Sequence, residues 1–196
     1  MTGNIAPYAY GDLTMLAIVI LLLAVLAWAV FIYNRLVRLR NQVRTAWADI
    51  DVQLTRRHDL VPQLVSAVRA YAGHEAAVLE AATALRAQAL QQPGPQKLGE
   101  VETALEQAIG RLFALREAYP ELKASENFAR LQDDLVEVEE HLQYARRFYN
   151  GAVRDYNDAT QRIPDGMVAR GFGFDGAEFF QAGDGERAAP AVELRR

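Results

Sequence analysis

Leu13 to Ile32 is a run of 20 residues without a charge, LTMLAIVILLLAVLAWAVFI, in which Thr14 is the single polar interruption. About 20 residues rising 1.5 Å each span the ~30 Å hydrocarbon core of a bilayer. A soluble core helix of that length would keep a polar face toward water, and this run has none. The first expectation is therefore a transmembrane helix over residues 13–33, after a short extracytoplasmic segment, 1–12. A cleaved signal peptide is the rival reading, because Ala27-Trp28-Ala29 has a small-x-small pattern. Residues 1–12, however, contain no Lys or Arg, which a signal peptide needs ahead of its apolar stretch.

The flanks set an orientation. Asp12 is the one charge before the run, whereas Arg35, Arg38, Arg40 and Arg44 follow it closely, a basic neck that belongs on the cytoplasmic side. Tyr8 and Tyr10 before the run, and Trp28 and Tyr33 at its inner end, suit the two interfacial aromatic belts. The chain is thus expected to be single-pass in a bacterial inner membrane, N-terminus out. All 21 basic residues lie after the run with 24 of the 25 acidic ones, so the remaining domain is near −3 and only its neck favours an anionic surface. With no basic cluster beyond Arg44, nucleic acid is excluded as a partner. There is no Cys, hence no disulfide frame and no thiolate chemistry.

The soluble part, residues 34–164, reads as all-α. Ala, Leu, Glu, Gln and Arg dominate, residues that lose little rotamer freedom in a helix. A first apolar stripe, Leu36, Leu39, Val43, Trp47, Ile50 and Leu54, continues out of the membrane segment. A second, from Leu64 through Val68, Tyr71, Val78, Ala82, Leu85 and Ala89, follows Asp59 and Pro62, which either start a new helix or kink the old one. Gln92-Pro93-Gly94-Pro95 is a loop; a third helix carries Leu98, Val101, Leu105, Ile109, Leu112 and Leu115 and stops at Tyr119-Pro120. Ser125 is placed to cap a long last helix with an unbroken stripe from Phe128 and Leu131 to Tyr156 and Ala159. Ile163-Pro164-Asp165-Gly166 ends it. Four such helices predict an antiparallel up-and-down bundle, with the Gly/Phe-rich tail, 165–196, brought back to the membrane-facing end.

Several longer segments carry a resemblance: AWADIDVQLTRRHDLVPQLV at Ala46–Val65, AYAGHE at Ala70–Glu75, AYPELKASENF at Ala118–Phe128, ARRFYNGAVRDYN at Ala145–Asn157 and GFGF at Gly171–Phe174. In this order they resemble the LemA family over nearly the whole soluble part. The resemblance implies an N-terminal anchor, a cytoplasmic four-helix bundle and no established catalytic activity. Some relatives are implicated in building magnetosome membranes, and others are encoded beside membrane metalloproteases. The sequence departs from the family at Asp165-Gly166-Met167, where relatives more often read Ser-Asn and an aliphatic residue, and beyond Ala182 it follows no family pattern.

The residues offer little reactive chemistry. His74-Glu75-Ala76-Ala77 opens like a zinc-protease helix, but Val78 stands where the second His is required. Glu137 and His141 lie one turn apart and read as a solvated pair, since a di-iron bundle needs Glu-x-x-His on two helices. No Gly-rich phosphate loop opens a helix. Arg56, Arg57, His58 and Asp59 are placed at the turn between the first two helices, with an ordinary capping and dipole role. No catalytic, cofactor-binding or metal residues are assigned, and no small-molecule substrate is expected.

Two sets are candidate contacts. Arg146, Arg147, Asn150, Arg154, Asp155 and Asn157 form a candidate partner surface, because Arg beside Tyr149 and Tyr156 has the composition of interface anchors. Phe172, Phe174, Phe179 and Phe180 are candidate tail contacts that dock on the bundle, enter the bilayer interface or bind another protein. The function expected from the sequence is a membrane-anchored, non-enzymatic scaffold or partner-binding protein, with self-association among its modes. The alternatives are an adaptor or regulator of a membrane protease and a metal-binding bundle enzyme.

Overall fold

The computed structural model describes residues 6–92 and 94–180, with side chains from Leu13 onward. The aromatic belt at Tyr8 and Tyr10, the flanking Asp12 and the tail beyond Phe180 lie outside the described side chains. Every regular element among the described residues is helical: α1 (Ala6–Arg69), α2 (Ala76–Ala89), α3 (Pro95–Ala114), a 3-10 turn (Leu115–Glu117), α4 (Pro120–Lys123), α5 (Glu126–Gln161) and α6 (Asp165–Gly171). The chain divides into two compact units, one of residues up to Gln42 with Asp155–Gly176, the other of Val43–Arg154 with the segment from Ala177.

Helix α1 is 64 residues long and passes without a break through Pro62, so Asp59 and Pro62 neither cap nor start a helix. Proline has no N–H and leaves the carbonyl four residues earlier without its helical partner. That carbonyl is His58 O, and it accepts instead from Arg86 Nε on α2 at 2.6 Å. A donor far away in sequence thus keeps the helix intact, which no local reading of Pro62 can foresee. Arg86→Met, which keeps the aliphatic stem, should cost about 1–3 kcal/mol by leaving this partly buried acceptor unpaired. Thermal unfolding in mild detergent measures that loss, and a melting point equal to the parent's would assign Arg86 no such role.

The break comes at Ala70–Glu75. Tyr71 N–H and Ala72 N–H both turn back to Val68 O, at 3.1 and 2.8 Å. At Gly73 a Cβ would come within 3.2 Å of Arg69 O, so a residue without one suits this turn. Helix α3 opens on Gly94 at φ 89° with Pro95 in its first turn. Ser125 caps α5 as the sequence predicts, its hydroxyl accepting from Phe128 N–H at 3.4 Å.

In the Val43–Arg154 unit one hydrophobic core collects Val61, Leu64 and Val68 of α1, Leu79 and Ala82 of α2, Leu105 and Leu112 of α3, Leu122 of α4, and Phe128, Leu131 and Leu135 of α5. The stripe of α5 is buried throughout except for Ala145, which is half-buried. In the other unit the large apolar side chains from Leu13 to Phe31 are 48–70% exposed on every side of α1, and the pattern ends at Ile32, which is 2% exposed. Among the described residues, Ile32, Leu36, Tyr156, Ala159, Ala169 and Phe174 are the buried apolar ones there. Gly166 lets α6 approach the end of α5 closely: a Cβ on it would lie 2.8 Å from Thr160 O.

Candidate functional site

The core of the Val43–Arg154 unit contains a charge network. Arg57 and His58 are not at a turn; they lie inside α1, 2% and 6% exposed. Both reach Glu102 of α3, itself 0% exposed. Arg57 Nη1 donates to Glu102 Oε2 at 3.1 Å, and His58 Nε2 lies 2.6 Å from Glu102 Oε1. Arg57 Nη2 makes a close ion pair with Glu139 of α5. Arg146 Nη1 stands 3.7 Å from both Glu139 and Glu106, completing a set of charges drawn from three helices. Burial holds the Arg57 guanidinium below its ordinary pKa, an effect that exceeds the opposing attraction of Glu102. A cleft of about 250 Å³ opens beside the network between Arg57, Glu106, Ile109, Phe113, Leu135 and Glu139.

The neighbours of this pair remain outside. Arg56 binds Glu137 at 3.1 Å in solvent, and His141 lies 3.6 Å from the same carboxylate, with both side chains about half exposed. The hydrogen bond from Arg56 holds Glu137 below the usual carboxylate range. His74 is exposed, while Glu75 accepts from Tyr119 Oη at 3.1 Å. Among the described residues no group of three or more His, Cys, Asp or Glu is arranged to hold a metal ion.

The tail segment from Glu178 to Phe180 is strapped onto α1 and α5. The Asn150 side-chain amide pairs with the Phe180 backbone twice, Nδ2 donating to Phe180 O at 3.0 Å and Oδ1 accepting from Phe180 N–H at 2.9 Å. Tyr149 Oη donates to Glu178 O at 2.8 Å, and burial followed by the charge of Glu178 pushes the phenol up to about 12. The Phe180 ring, 2% exposed, lies 6.1 Å from that of Trp47 and beneath Arg146, whose guanidinium carbon is 5.2 Å away. Trp47 in turn meets Tyr149 at 5.4 Å.

The six residues grouped as a partner surface therefore separate. Arg146 is buried and belongs to the charge network, and Asn150 is half-buried as the tail's latch. Asn157 is half-buried against Gly176, while Arg147, Arg154 and Asp155 are exposed. Arg147 lies over the Tyr144 ring at 4.7 Å. Tyr144 and Phe148 are 67% and 51% exposed and line a groove with Val52, Gln53, Asp49 and His141, none of which the sequence reading singled out apart from His141. The tail aromatics separate as well: Phe174 and Phe180 are buried, Phe172 and Phe179 exposed.

Two residues of the basic neck make contacts in their own unit. Arg35 Nη1 pairs with Asp165 Oδ2 of α6 at 2.5 Å, and Arg40 stacks on Phe174 at 4.9 Å. Arg38 and Arg44 are exposed.

Comparison with known proteins gives a match of residues 46–194 to the LemA family model. The chain is also similar to the magnetosome proteins MamQ 2 and MamQ 1 of Paramagnetospirillum magneticum. It is 25% identical to each over 202 residues, covering 87% of this chain and 73% of the relative. The magnetosome protein MamQ of Magnetospirillum gryphiswaldense is 24% identical over 211 residues, 91% of this chain and 76% of its own length.

Proposed function

The chain belongs to the LemA family, and from that membership we propose that it is a single-pass, membrane-anchored, non-enzymatic helical scaffold of the bacterial inner membrane. Its N-terminus lies outside and its helical domain, an antiparallel four-helix arrangement, lies in the cytoplasm. It acts by holding a protein partner or a second copy of itself, without a cofactor or small-molecule substrate. The observation that carries this reading is α1. Its apolar surface is exposed on all sides from Leu13 to Phe31, and the residues that follow supply Ile32 and Leu36 to buried positions in the one unit and Val43, Ala46 and Ile50 to buried positions in the other. Such a helix is suited to stand in lipid at one end and in a folded domain at the other. Similarity to magnetosome proteins is in keeping with a membrane setting. The groove at Tyr144 and Phe148 offers exposed aromatic surface of the kind partners use.

Because the chain has no Cys, single-cysteine variants map its topology. Thr2→Cys should react with an impermeant thiol reagent on intact spheroplasts, and Arg130→Cys only after lysis. The reverse pattern, or full-length protein released by an alkaline wash, would remove the reading. Mass measurement after gentle extraction tests the scaffold itself, and a solitary chain without co-purifying protein counts against it.

A further inference from the structure

Three large apolar side chains at and around α6 are left in solvent: Ile163 at 82%, Met167 at 64% and Phe172 at 65% exposure. Scattered single exposures of this kind are ordinary, but here three fall within the ten residues from Ile163 to Phe172. Helix α6 turns Asp165, Gly166 and Ala169 inward, and Met167 and Arg170 outward. Its two ends are tied to a single turn of α1: Asp165 to Arg35 at 2.5 Å, and Phe172, just past the last helical residue, edge-on to the ring of Tyr33 at 5.0 Å. Tyr33 directly follows the apolar run and Arg35 lies two residues on, so both α1 residues that hold α6 fall within about 5 Å, along the α1 axis, of the point where that run ends. Arg38, Arg162 and Arg170 of the same unit are exposed, while Asp165 is occupied by Arg35.

We propose that α6 with Phe172 is a second membrane contact, an interfacial foot that rests in the headgroup region of an anionic bilayer beside the anchor. The inference rests on reading α1 as a membrane anchor and extends it. Lipid is the occupant because these apolar side chains are tied to α1 just where its exposed apolar run ends, and exposed arginines accompany them in the same unit, the pairing of apolar and basic groups that seats interfacial helices about 5–10 Å into a headgroup layer. The contacts of Arg35 with Asp165 and of Tyr33 with Phe172 then have a purpose: they fix the height of the foot to that of the anchor's inner end.

The test uses full-length protein in vesicles of phosphatidylglycerol and phosphatidylcholine. Single-cysteine variants Met167→Cys and Phe172→Cys carry an environment-sensitive fluorophore, with Leu22→Cys as the anchor control and Arg130→Cys as the solvent control. Nitroxide-bearing lipids quench from either a shallow or a deep position. Labels at 167 and 172 should lose most of their emission to the shallow quencher, and the label at 22 to the deep one. The label at 130 should lose none. If 22 is quenched while 167 and 172 behave like 130, the anchor stands and the foot is wrong. Labels at 167 and 172 that are shielded from water but untouched by either lipid mean a protein contact, which also overturns the proposal. An unquenched label at 22 overturns the anchor and the foot together.

Discussion

Glu102→Ala is expected to lower the melting temperature of the full-length protein in mild detergent by roughly 6–20 °C. Glu102 is completely buried and serves two partners at once, the Arg57 guanidinium and the His58 ring. Removing one member of a buried ion pair leaves an uncompensated charge in a low-dielectric interior, a loss of about 3–5 kcal/mol. For a domain of this size each kcal/mol displaces the melting point by about 2–4 °C. Arg57 cannot simply neutralise itself, because a guanidinium stays protonated in proteins. Its remaining carboxylate, Glu139, is shared with Arg146. The decisive comparison is the triple replacement Arg57→Met, His58→Leu, Glu102→Leu, which removes the whole charge set and should recover most of the lost stability. A Glu102→Ala protein melting within about 2 °C of its parent would mean the site admits water and the charges are not in low dielectric. If the triple variant is stable yet fails to retain partners that the parent retains, the network serves binding rather than folding.

The long periods of this chain were readable because hydrophobic spacing reports directly on which face of a helix is buried. The α5 stripe from Phe128 to Ala159 and the cap at Ser125 are in the structure where periodicity and capping preference put them. Pro62 left two readings open, a new helix or one helix continued through it, for a physical reason: its cost is a missing hydrogen bond, and the compensating donor, Arg86, lies 28 residues from the acceptor, His58. The charge network was legible only as an anomaly. Arg57 falls between Leu54 and Val61 on the α1 stripe, and Glu102 between Leu98 and Leu105 on that of α3, so charges occupy core positions in both helices. Reading Val101 as the core residue of α3 hid the second of these, since Val101 is half-buried and Glu102 buried. Arg146 followed the same logic one residue away from the α5 stripe. Its neighbours in sequence resemble an interface, yet its position turns it inward beneath Phe180. The tail was the least legible part, because GFGF and the residues after it have no period and their partners, Tyr33, Trp47 and Asn150, lie far back along the chain.

Phe180→Ala should release the tail strap without unfolding the helices beneath it. The ring is buried against Trp47 and Arg146, and truncating a buried Phe costs about 3–5 kcal/mol when its surroundings cannot collapse. Here the strap itself can lift away from Trp47, so the cost falls on its contacts with Tyr149, Asn150 and Trp47 rather than on a cavity. The loss should therefore appear as local opening, with amide exchange accelerating at Glu178–Phe180 while the α5 core keeps its protection. Trp47 reports the same event. It is one of two tryptophans, so in a Trp28→Phe background its emission should shift to the red as water reaches the indole. Asn150→Ala removes both hydrogen bonds to the Phe180 backbone and should open the strap by a smaller margin, about 1–3 kcal/mol. Phe179→Ala, with that ring 42% exposed, should change little. Loss of protection along the whole of α5 in Phe180→Ala would instead make the tail an integral part of the core. Local opening alone would define a latch whose release bares Trp47 and Arg146, aromatic and cationic surface that the closed strap keeps from any partner.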